Sequence, residues 1–145
     1  MLQIISSIIP IVVSIAVVVI AFLGYRISKI SIVKEYFAQG DSIEHKKFRK
    51  QIYDIYNKPS DDVTILKELK EITSSVAHVV SFYDFWALMV QKSYLPLWTF
   101  EGMPGKVAID IFEKIKPYIA YRRESENKRE YALRFEQLIS KIKKL

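Results

Sequence analysis

LQIISSIIPIVVSIAVVVIAFL, the 22 residues from Leu2 to Leu23, carries no charged side chain. At about 1.5 Å of rise per residue, a helix of this length spans roughly 30 Å, the thickness of a bilayer's hydrocarbon core. The run is rich in β-branched residues, which over a few positions would suit a buried strand. At this length in lipid, only a helix satisfies every backbone group internally. Its 15 Ile, Val, Leu and Phe, at about −0.3 to −0.6 kcal/mol each, favour insertion by roughly −5 to −9 kcal/mol, enough to absorb Gln3, Ser6, Ser7 and Ser14. Pro10 is tolerated in a lipid-embedded helix. A cleaved signal peptide is not expected: no Lys or Arg precedes the run, and Ala21-Phe22-Leu23 ends in Leu where a cleavage site needs a small residue. A core helix apolar on all sides would need a larger domain around it than the rest of the chain supplies. The expectation is a permanent anchor over residues 1–25.

Every charged residue follows Tyr25, 38 in all (22 Lys+Arg plus 16 Asp+Glu) in a chain of 145. Arg26, Lys29 and Lys34 stand directly after the span. By the positive-inside rule they place the C-terminal part in the cytoplasm and the N-terminus outside. The same three residues would lie beside anionic headgroups at the membrane surface. The absence of cysteine removes disulfides, thiolate metal sites and thiol nucleophiles together.

Helical spacing continues through Ile27, Ile30, Val33, Tyr36 and Phe37 to Gly40, so residues 26–40 read as a juxtamembrane stalk continuous with the anchor. Gly40 suits a left-handed helix end, and Asp41 or Ser42 suits the cap of a second helix over about Ile43 to Tyr56. Ser60-Asp61-Asp62 opens the longest periodic stretch, about Val63 to Lys92, which reads as one amphipathic helix. Its stripe includes Ile65, Leu69, Val76, Val80, Tyr83, Trp86 and Val90, and its second half becomes apolar on most sides. Residues 94–105, YLPLWTFEGMPG, lack helical period and read as a loop, whose aromatics, Trp98 among them, either close the core or meet a partner. A helix from about Lys106 must kink or restart at Pro117. A last helix covers about Lys128 to Lys143. Residues 41–145 thus form an all-α cytoplasmic bundle of about four helices.

No catalytic constellation emerges. Ser74 and His78 share a helix face but lack an orienting acid, an oxyanion hole and a nucleophile elbow. The histidines His45 and His78 offer no convergent metal shell, and Gly24, Gly40, Gly102 and Gly105 form no phosphate cradle. The basic clusters at 45–50, 122–123, 128–129 and 141–144 fit no nucleic-acid module. The reading is a non-enzyme with no cofactor, no metal, no nucleic-acid partner and no evident small-molecule substrate.

Ser81-Phe82-Tyr83-Asp84-Phe85, then Ile111 to Ile119 (IFEKIKPYI), then Arg122-Arg123 resemble an uncharacterised bacterial family, domain of unknown function 4760. That resemblance implies a transmembrane helix ahead of a short helical domain and no established enzymatic activity. YLPLWTFEGMPG stands where that family has a more charged segment. Tyr83, Asp84 and the run Lys116-Pro117-Tyr118 to Arg122-Arg123 suggest a polar clasp, with Asp84 pairing a base on the following helix. Trp86 and Trp98 join these as structural or interaction residues. The functional expectation is a single-pass, membrane-anchored interaction or regulatory module, with the bilayer and a protein partner or a second copy as its contacts. The alternative is a membrane-perturbing effector of toxin or defence type that oligomerises through its first helix, with Ser6, Ser7 and Ser14 as its polar positions.

Overall fold

The computed structural model describes the backbone of residues 2–57 and 59–145, and side chains from residue 10 onward apart from Lys58. Six α-helices and one 3-10 turn follow in order: α1 (Leu2–Gly40), α2 (Ile43–Tyr56), α3 (Asp62–Glu71), α4 (Thr73–Gln91), the 3-10 turn Leu97–Phe100, α5 (Met103–Ser125) and α6 (Leu133–Ile142). No strand occurs among the described residues, and the fold class is all-α as the periodicity predicts.

The stretches read as anchor and stalk form one continuous helix. From Pro10 to Ile30 nearly all of it stands clear of the rest of the chain, with Val18, Ile20, Ile27 and Ile30 each about two-thirds exposed. It is a candidate membrane span by length and composition. Its last turns differ, because they belong to the bundle. Tyr36 is buried, and its ring lies 5.3 Å from Trp86 and 5.1 Å from Phe100, centroid to centroid. Ile32 and Val33 pack beside it. Only Arg26 to Ser31, fewer than two turns, separate the charge-free run from the core.

The helix remains regular through Gly40, which does not take the left-handed conformation that a glycine helix end suggests. Ser42 caps α2, its hydroxyl accepting from the His45 amide at 3.2 Å, while Asp41 pairs with Lys46. Asp61 caps α3 through the Thr64 amide at 3.0 Å. The expected single helix from Val63 to Lys92 is two. Ile72 leaves helical geometry at φ −102°, ψ 33°, and the Thr73 hydroxyl donates back to the Lys70 carbonyl. The adjacent β-branched pair favours such a break. It lets α3 face α2 and α5 while α4 lies between α2 and α6. Five helices therefore follow α1 where about four are expected.

The core centres on Val76, Val79, Tyr83 and Trp86 of α4, meeting Ile111, Phe112, Ile115 and Ile119 of α5 and Phe135, Leu138 and Ile139 of α6. Tyr83 stacks on Phe135 at 4.4 Å and 7°, and Phe112 meets the same ring edge-on at 5.0 Å. Residues 94–105 are less open than a loop reading implies. Leu95 and Phe100 are buried, and α5 begins at Met103, ahead of the expected Lys106. Two glycines make this possible. Gly102 takes φ +71°, and Gly105 lies so near Phe100 that an added Cβ would stand 2.1 Å from its carbonyl oxygen. α5 then runs through Pro117 without restarting. Proline supplies no amide for the Glu113 carbonyl. One residue further on, the Lys114 carbonyl accepts the hydroxyl of Tyr56 from α2.

Candidate functional site

Two regions gather the residues singled out in the sequence. The first is a collar where α1 meets the bundle. Arg26 and Lys29 lie over the rings of Phe22 and Tyr25, one turn earlier, at 5.8 Å and 4.7 Å from the centroids. Helical side chains lean toward the N-terminus, so both cationic heads point back toward the apolar segment. Together with Ile30, Val33, Pro96 and Trp98 they line a groove of about 300 Å³. Trp98 is 57% exposed although Phe100, two residues on, is sealed against Tyr36. The aromatic segment 94–100 thus divides, Leu95 and Phe100 closing the core while Tyr94 and Trp98 face outward. Lys34 is exposed and does not line this groove. Ser14 returns its hydroxyl to the Pro10 carbonyl at 2.8 Å, which leaves it little capacity for lining a polar stripe. Ser6 and Ser7 lie outside the described side chains.

The second region is the clasp, and its wiring differs from the expected one. Asp84 does not pair with a base on the helix that follows α4. Its Oδ1 accepts the Phe135 amide of α6 at 2.7 Å. α6 starts from Ala132 in the left-handed conformation, φ 57°, with no side chain of its own as a cap. Phe135 is the third residue of that helix, the position an N-cap oxygen normally serves. Asp84 thus supplies from α4 the cap that the local sequence lacks. Burial raises its carboxyl pKa, opposed by the Phe135 amide and by Arg134 and Arg123 nearby. Arg123 reaches the same turn from α5, donating Nε to the Tyr131 carbonyl at 2.9 Å and meeting Glu136 at 2.9 Å. Asp84 and Arg123 converge on one element without forming an ion pair with each other.

The remaining clasp residues separate. Tyr118 is buried; its hydroxyl accepts from Arg122 at 2.9 Å and donates to Thr73 at 3.3 Å. Arg122 also pairs with Glu126 at 2.8 Å. Lys116 is exposed and meets only Glu113, at 3.6 Å, one turn away. Trp86 is buried, and among the described residues its indole N–H has no partner. His78 rests against Phe48 at 4.3 Å between ring centroids, and the buried serine beside it is Ser75, which donates to Gln51, rather than Ser74. Among the described residues, no three His, Asp or Glu side chains are placed to hold a metal.

His45, read from the sequence only as an isolated histidine within the basic cluster 45–50, is instead a core residue. It is 1% exposed, and among the described residues neither ring nitrogen has a partner. Burial first, then Arg49 and His78, lower its pKa to about 4. The signal was present: His45 shares a helical stripe with Phe48, Ile52 and Ile55, which marks it as inward-facing.

The fold and these sites define an all-helical protein in which a long apolar N-terminal helix is built into a small aromatic-rich bundle. The chain belongs to the family described as Domain of unknown function (DUF4760), whose match covers residues 10–142. No curated protein and no solved structure matches it.

Proposed function

We propose that this protein is a single-pass, membrane-anchored interaction module, held at the cytoplasmic face of a bacterial inner membrane with its N-terminus outside, and that it performs no chemistry of its own. One observation carries the reading: from Pro10 on, the apolar length of α1 is exposed, yet near its end Tyr36 is buried in the bundle with Ile32 and Val33 packed beside it. An exposed apolar helix of this length is costly in water and stable in lipid. Arg26 and Lys29 follow it directly, which favours retention of that end in the cytoplasm. Anchoring confines the bundle to two dimensions and raises its effective concentration toward other membrane-bound proteins. Exposed Trp98, Phe85 and Tyr94 supply aromatic contact area for such a partner.

The absence of cysteine makes the test clean. Single Gln3→Cys and Leu145→Cys variants are treated in intact spheroplasts with a membrane-impermeant maleimide. Labelling at position 3 and protection at position 145 is the expected result; the reverse pattern, or release of the chain by alkaline extraction, overturns the anchoring. Crosslinking from gently solubilised membranes, with and without residues 1–25, then tests the module. A specific partner retained by both forms is expected. Self-crosslinks alone, lost with the anchor, point instead to an oligomerising membrane effector.

A further inference from the structure

At the foot of α1, where it enters the bundle, a cavity of about 140 Å³ lies between α1, α2, α4 and the start of α5. That is the share of roughly four or five water molecules, room for one small polyatomic group. Its polar lining is lopsided. Arg49, Tyr36, Tyr83 and His45 all border it, and each can donate a hydrogen bond. Arg49 gives one bond, from Nη2 to the Gly40 carbonyl at 3.2 Å, and sits beside the Tyr83 hydroxyl. Among the described residues no carboxylate lies within 4 Å of its guanidinium. The one acidic residue on the rim, Asp41, is drawn to Lys46 at 3.2 Å. His45 is 1% exposed, and both its ring nitrogens lack partners among the described residues. A buried imidazole without hydrogen bonds is a cost that native proteins rarely leave unmet.

A half-buried positive charge without a counterion, two phenols and an imidazole unpartnered among the described residues complement an acceptor-rich, negatively charged group better than a cation or an apolar one. We propose that this cavity is a binding site for a small oxyanion, a phosphate or carboxylate group, held by the Arg49 guanidinium with Tyr36, Tyr83 and His45 as hydrogen-bond donors. A cation would be repelled by Arg49, and an apolar group would leave His45 unpaired. The Tyr83 hydroxyl is held at a pKa of about 12 by burial, so it remains a donor throughout the physiological range. An anion seated here touches α1 through Tyr36, α2 through Arg49 and His45, and α4 through Tyr83.

The test uses the full-length chain in nanodiscs of uncharged lipid and measures thermal unfolding and calorimetric titration with inorganic phosphate and, separately, acetate. Sodium chloride at matched ionic strength is the control. Saturable stabilisation by phosphate or acetate beyond the chloride control is expected. Preference between the two assigns the anion to the phosphate or the carboxylate class. Arg49→Gln should weaken that binding by about tenfold or more, the scale of one charged hydrogen bond. Absence of saturable binding by both anions overturns the proposal, as does an unchanged affinity in Arg49→Gln. If that variant does not fold, Tyr36→Phe decides, since it removes one hydroxyl and keeps the ring; unchanged affinity there overturns the site equally.

Discussion

His45 makes acid stability a direct probe of the packing at the α1 junction. In the unfolded chain its imidazole titrates near 6.5, whereas burial, Arg49 and His78 hold it at about 4 in the folded chain. Above pH 6.5 both states carry a neutral ring, and the residue makes stability independent of pH. As pH falls below 6.5 the unfolded state takes up a proton that the folded state refuses, so stability declines by about 1.4 kcal/mol per unit. The decline levels off below about pH 4, after a total of about 3 kcal/mol, a substantial part of what a domain of this size possesses. Urea unfolding across this range, in a buffer without phosphate or carboxylate, measures it. His45→Gln keeps a polar side chain but no titration, and the wild-type curve should steepen relative to it between pH 6.5 and 4. Parallel curves over that window would refute the reasoning, because a neutral, buried His45 has to produce the difference. The carboxylates Asp61 and Glu113, also held below their usual range, lose their contributions in more acidic solution and cancel in the comparison.

Three other outcomes follow from the packing and from the charges that flank the span. Gly105→Ala drives a methyl group into the Phe100 carbonyl and should destabilise the bundle by about 1 to 3 kcal/mol, read by thermal unfolding, whereas Gly24→Ala, with open space around it, should leave the unfolding temperature unchanged. Asp84→Ala removes the only side-chain cap on α6 and should cost about 1 kcal/mol; Asp84→Asn, which keeps the accepting oxygen, should retain most of that, and equal losses for the two would contradict the capping role. Replacing Arg26 and Lys29 together with Gln leaves Lys34 as the sole basic residue near the span and should produce molecules of mixed orientation, visible as maleimide labelling at both Gln3→Cys and Leu145→Cys.

The sequence was most legible where structure is decided locally. The start of α2 follows from Ser42, and its expected range coincides with the observed Ile43–Tyr56. The break at Ile72 was hidden because the apolar period runs through it; what separates α3 from α4 is that their stripes face different neighbours, a tertiary fact. α6 was placed too early for a similar reason. Tyr131 stands on the same stripe as Phe135, Leu138 and Ile142, but the helix begins only after Ala132, with a cap contributed from α4. The clasp was half visible: Asp84 and Arg123 do meet the same element, and composition could not reveal that they address a backbone amide and a carbonyl rather than each other. Tyr36 read as part of a stalk because spacing records which face is apolar and not what covers it. The cavity at the α1 junction escaped because its residues come from four separate elements.

The unbroken passage of α1 into the core has a mechanical consequence. At 1.5 Å per residue its 39 residues form a rod of about 58 Å, rooted by Tyr36 among Trp86, Phe82 and Phe100. Nothing between Arg26 and Ser31 acts as a compliant joint, since helical hydrogen bonding is maintained throughout. A piston stroke or axial twist imposed on the helix beyond Pro10, the one residue within it that cannot donate a backbone hydrogen bond, would therefore be passed on to the aromatic socket. The bundle rides α1 as a key rides its shaft, and torque applied to either is torque on both.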